Sequence, residues 1–114
     1  MKKVAMAFDF AVILLFVAVG RQNHEHGITF KGIVSTLWPF GVGLIIGWIY
    51  LGLTHRNFVA GKSGFYLVLL VVTVGMFLRV ISGQGIALSF IIVASLLLTL
   101  LLVGWRIIFN RMSN

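Results

Sequence analysis

Residues 34–53, VSTLWPFGVGLIIGWIYLGL, form a run of 20 residues without one charge. Coiled as an α-helix rising about 1.5 Å per residue, the run reaches roughly 30 Å, the thickness of a bilayer's hydrocarbon core. A soluble domain has little use for a helix this long and apolar on every side. Water does not enter the bilayer interior, so a segment lodged there must satisfy its own backbone, which a helix does.

Three further stretches of the same kind fill most of the chain, and the expected spans are about 3–20, 34–53, 63–82 and 86–108. Only 10% of the 114 residues are charged, against the roughly 25% of ordinary globular chains. The fold class expected is therefore all-α, an integral membrane four-helix bundle. Four spans with short connections account for the length, so a single membrane domain over 1–114 is expected. The first span begins like a signal peptide, with Lys2-Lys3 before an apolar run and Ala18 and Gly20 near its end. Asp9 inside the run argues for a retained span instead.

Nine Lys/Arg against Asp9 and Glu25 give a net charge of +7. No basic face is free to follow a duplex, so nucleic acid is not an expected partner. Positive charge beside membrane spans sets orientation and meets anionic lipid. Lys2, Lys3, Arg56, Lys62, Arg106 and Arg111 fall on one side; Arg21 and Lys31 fall on the other, with Arg79 just inside it. This asymmetry places both termini in the cytoplasm of a multi-pass plasma-membrane protein.

With Lys3 and Arg106 assigned to the span ends, Asp9 and Arg79 are the ionised groups inside the expected spans, and such groups are costly to bury. Asp9 lies about 7.5 Å deep from the cytoplasmic start of its span, and Arg79 about 22 Å from the same side. Separated by about 15 Å in height, they are not expected to pair. Asp9 reads as a shallow carboxylate held by Trp48, Tyr66 or Thr99 or reaching the interface, with proton coupling as the alternative. Arg79 shares a helical face with Gly75 and Ser82 and sits at the height of an outer polar cluster comprising Arg21, His24, Glu25 and Gln84. It reads as a staple for the outer connections, with an anion or headgroup site shared with Arg21 as the sharper alternative and a snorkelling arginine as the third.

Ser35 or Thr36 is expected to cap the second helix, which puts Pro39 in its first turn, where a missing N–H costs little. Gly43-x-x-x-Gly47 is a small-xxx-small pattern that lets another helix approach, from the same chain or from a partner. Gly83-Gln84-Gly85 marks a tight turn between the last two spans, and Trp105-Arg106 an interfacial anchor. His24 and His26 lie outside and His55 on the opposite side, which makes no metal or haem site. With no cysteine, no nucleophile–base pair and no phosphate loop, neither a cofactor nor an enzymatic activity is expected.

These landmarks together resemble an uncharacterised prokaryotic, actinobacterial-type family of four-span membrane proteins known as a domain of unknown function. The matching positions are Asp9, Gly20-Arg21 with His24, Thr36-x-Trp38-Pro39-Phe40 with Gly43, Arg79-x-x-Ser82-Gly83-Gln84-Gly85, and Gly104-Trp105-Arg106. The resemblance implies a four-helix bundle with Arg21, Trp38, Pro39 and Arg79 in the family's motif, and it implies no activity. The expected role is an interaction or accessory subunit, a homo-oligomer or part of a larger membrane complex. The alternative is a minimal dimeric transporter or channel that uses Asp9 or the Arg21/Arg79 pair.

The orientation is open to direct test, because the chain has no cysteine of its own. With single cysteines introduced at Asn23, Asn57 or Ser113, an impermeant thiol reagent on intact cells is expected to label position 23 alone. Labelling at 57 or 113 would invert the topology.

Overall fold

The computed structural model describes residues 2–22, 30–84 and 88–112. Its helices are α1 (Lys2–Gln22), α2 (Phe30–Leu53), α3 (Gly61–Ile81), α4 (Leu88–Leu98) and α5 (Gly104–Met112). A π-helical turn, Thr99–Val103, joins α4 to α5, so these three pieces form one continuous rod over Leu88–Met112. Each of the four rods is long and apolar enough to cross a membrane. The protein is thus an all-α bundle of four candidate membrane helices. Its longest dimension is 45 Å, close to the roughly 40–45 Å of a bilayer with its headgroups.

Lipid tails are as apolar as leucine, so helices in a membrane associate through close packing and polar contacts rather than hydrophobic expulsion from water. Helices α2 and α3 show the first of these. A Cβ built on Gly43 would lie 2.9 Å from the Cα of Val71, so no larger residue fits without displacing backbone. Gly47 lies against the side chain of Leu67 in the same seam. The glycine face is therefore filled from within the chain, and it does not serve as the partner-binding face that the pattern also permitted. Nearer the far end, Phe16 of α1 meets Phe40 of α2 edge-on at 5.3 Å between ring centres, and Phe90 of α4 closes the cluster.

Both described connections begin with the same helix-ending device. After α2, the N–H of Arg56 donates to the Leu51 carbonyl and that of His55 to Gly52, with His55 at φ 55°. After α3, Gln84 donates to Arg79 and Gly83 to Val80, with Gly83 at φ 81°. These paired bonds satisfy carbonyls that a helix end would otherwise leave bare, and the left-handed residue they require is why a glycine follows Ser82. The segment after His55 then folds inward. Phe58 and Val59 are buried, Asn57 Oδ1 accepts from the Val59 N–H, and Ser63 Oγ donates to the Asn57 carbonyl.

Helix α2 starts earlier than expected, and this changes what Pro39 does. The first turn begins at Phe30, Ser35 Oγ donates back to the Gly32 carbonyl, and Pro39 sits in the helix interior. Ser35 and Thr36 are thus helical residues rather than caps. An interior proline withdraws the N–H that would have bonded to the carbonyl four residues earlier, here Ser35. The structure supplies a substitute: Gln84 Nε2 donates to the Ser35 carbonyl at 3.0 Å. Restoring an N–H with Pro39→Ala should therefore make Gln84 dispensable. Gln84→Leu is expected to cost about 1 kcal/mol in the native background, the scale of one hydrogen bond, and well under half of that beside Pro39→Ala. Thermal unfolding of the four variants in detergent measures the coupling.

Candidate functional site

The polar centre of the molecule forms around Asp9, on the second turn of α1. A carboxylate offers about four acceptor positions, and here four N–H groups fill them. Arg106 Nη1 donates to Oδ1 at 2.7 Å and Nη2 to Oδ2 at 2.8 Å, a bidentate pair whose side chains are both fully buried. Trp105 Nε1 donates to Oδ1 at 3.0 Å, and Trp48 Nε1 to Oδ2 at 3.1 Å. The guanidinium is held from behind as well. Its Nε donates to the Phe58 carbonyl at 2.9 Å, and Nη1 donates also to Leu102 at 3.0 Å. One side-chain pair thus joins α1, α2, the inward-folded connection and the fourth rod.

Local sequence explains how each partner arrives. Phe58 presents its carbonyl because the Asn57 turn folds the connection inward, and Asn110 Nδ2 secures the next carbonyl, that of Val59, at 3.0 Å. Arg106 faces inward because of the π turn. Ala94, Leu98, Leu102 and Arg106 are all fully buried at intervals of four. On a regular α-helix each such interval drifts by about 40° around the axis. The wider π turn between Leu98 and Gly104 offsets the drift and keeps the four on one face. Thr99, placed among the possible partners of Asp9, instead donates to the Ser95 carbonyl at 2.6 Å. Tyr66 packs edge-on against Tyr50 and lies under Arg56. Of the three expected partners, Trp48 is the one the structure brings to Asp9.

Arg106 needs a correction. As half of an interfacial Trp-Arg pair it was expected at the membrane surface, yet it is the largest fully buried side chain described. Helix α5 continues to Met112, six residues past Arg106, so the guanidinium lies about 9 Å inside the helix end. Asp9 lies seven residues inside the start of α1, about 10 Å, so the two heights match. That match is the signal that would have found the pair, once the fourth span was carried past Ile108.

Arg79 stands apart from this centre. Its Nη1 donates to Gln84 Oε1 at 3.1 Å, and its guanidinium carbon lies 5.0 Å from the centre of the Phe90 ring. With Gln84 on Ser35, this makes a relay from α3 through the turn to α2. Of the other residues assigned to the outer cluster, Arg21 is described in its backbone alone, in the last turn of α1, and His24 and Glu25 lie outside the described residues. Asp9 and Arg79 belong to separate networks at opposite ends of the bundle.

A carboxylate with every acceptor position filled takes up a proton only by releasing a donor. The arrangement is suited to fastening helices. Removing one partner leaves an uncompensated buried charge, a loss of about 3–5 kcal/mol, whereas replacing both with apolar groups of similar volume is often neutral. Asp9→Leu or Arg106→Met alone should therefore lower the unfolding temperature sharply in detergent, and the double substitution should regain most of the loss. Arg106→Lys should recover little, since an ammonium cannot span both carboxylate oxygens and the Phe58 carbonyl. Additive losses in the double variant would show that the pair contributes no coupling.

The family model described as "Protein of unknown function (DUF3054)" matches residues 6–109, a stretch that includes both members of the pair. No curated protein and no solved structure matches the chain.

Proposed function

Since the chain belongs to the DUF3054 family, whose description carries no activity, we propose its function from the geometry: a non-catalytic membrane interaction subunit. It assembles with copies of itself or within a larger membrane complex, both termini facing the cytoplasm of the plasma membrane. The observation that carries this reading is the engagement of Asp9. A coupled transporter needs an ionisable group near mid-membrane that each side reaches in turn. Asp9, the acid among the described residues, is fully buried near one end and occupied by four donors. Arg79 is committed to Gln84 near the other end. Between them the core is aliphatic and aromatic, built from Ile13, Phe16, Leu44, Val71 and Leu98. Such a layer supports packing and offers a permeant ion nothing to bind.

The test is a pair of measurements on the wild-type protein. Reconstituted in liposomes, it is expected to carry no proton, sodium, halide or lipophilic-cation flux above that of empty vesicles. Purified in mild detergent, it is expected to run as a defined oligomer or with a second membrane protein at fixed stoichiometry. A reproducible flux overturns the reading in favour of transport. A strictly monomeric protein without companions overturns the interaction role.

A further inference from the structure

Beyond the interaction role, the surface beside the ion pair has the form of a ligand site. Along α5, Trp105, Ile108, Phe109 and Met112 follow the spacing of a single helical face, and with Phe8 of α1 they line a groove of about 260 Å³. The groove is smaller than the roughly 300–1,000 Å³ of pockets that take whole drug-sized ligands, and it suits part of a slender chain. Its lining is almost wholly apolar, carbon with the Met112 thioether, and the one polar atom of the Trp105 side chain is turned inward to Asp9. Its three aromatic walls are held by one another and by Arg106. Phe8 stacks on Trp105 at 4.9 Å, Phe109 meets Trp105 edge-on, and the Arg106 guanidinium covers the Trp105 ring at 4.5 Å.

The groove opens at the basic end of the bundle. Arg111 directly precedes Met112 and follows Ile108 by three residues, about 4.5 Å along the axis. Lys2, Lys3, Arg56, Lys62 and Arg111 are exposed there, and the acid at this end, Asp9, is already neutralised by Arg106. An apolar slot leading to unbalanced positive charge matches one chemistry: a hydrocarbon chain that ends in an anion. We propose that the groove holds an acyl chain of an anionic phospholipid, with its phosphate at the rim beside Arg111.

Tryptophan fluorescence reads this site through Trp105, which forms its wall, as the part of the quenching that a Trp105→Phe control removes while Trp48 still emits. In a Trp38→Phe background, which removes the exposed indole near the other end, the protein is placed in nanodiscs of phosphatidylcholine. Phosphatidylglycerol with brominated acyl chains is then added, and brominated phosphatidylcholine in a parallel series. The anionic lipid is expected to quench at clearly lower mole fraction. Arg111→Gln should raise its half-quenching fraction about fivefold, the effect of one basic charge at an anionic surface. Equal quenching by the two lipids means an ordinary lipid annulus and overturns the proposal. Weak quenching by both overturns it too: a dimer mass then assigns the groove to a second copy, and a co-purifying polypeptide assigns it to a partner protein.

Discussion

Two charges fully buried from solvent persist by holding each other, and the Asp9–Arg106 pair does so with every acceptor of the carboxylate filled. Apolar helix faces in lipid carry little information about register, since a leucine meets a lipid tail or another leucine with similar energy. A bidentate pair does carry that information. A slip of one residue in α1 or the fourth rod would separate the guanidinium from the carboxylate and leave both unsatisfied. The order of the bundle at this end therefore follows from one contact. Trp48 adds α2 to it, and the Phe58 carbonyl adds the connection to α3.

The opposite end is secured by a weaker device of the same logic. Pro39 opens a gap in the hydrogen-bond ladder of α2, Gln84 fills it, and Arg79 holds Gln84 in place. Each of these residues explains the next: the proline creates an acceptor, and the amide has a donor for it and an acceptor left for the arginine. The relay is exposed where the ion pair is buried, so water competes for its bonds and its contribution is smaller. Between the two ends, glycine-to-backbone contact of α2 with α3 supplies the close packing that apolar side chains alone would not specify.

Much of this was legible in the residues. The four spans, the close approach at Gly43 and Gly47, the turn at Gly83 and the separation of Asp9 from Arg79 all follow from length, charge and spacing. Trp48 was within reach as a partner of Asp9, because an indole N–H is a donor able to satisfy a buried carboxylate. Arg106 was not recognised, for a physical reason. An arginine after a tryptophan near the end of a span has the composition of an interfacial anchor, and depth alone separates the two cases. The depth depended on where the rod ends, and α5 runs four residues past Ile108. The π turn is harder still, since Thr99–Val103 is composed like any apolar helix, and nothing local marks the widened turn. Pro39 was misplaced because Ser35 and Thr36 are good caps in isolation, while the helix had already started at Phe30.

The ion pair also shapes the surface beside it. Phe8 is the neighbour of Asp9 in sequence, and Trp105 is both the neighbour of Arg106 and a donor to Asp9. Fixing the two charges thus fixes two aromatic rings, which stack on each other and wall the groove along α5. Side chains ordered on binding cost affinity, and Phe8, Trp105 and Phe109, already packed on one another, cost less than mobile ones. The buried pair, the inward-folded connection and the aromatic groove therefore form one connected unit at the basic end. That end sets the register most strictly, because it holds the two charges that are buried among the described residues, and these are the groups that tolerate displacement least.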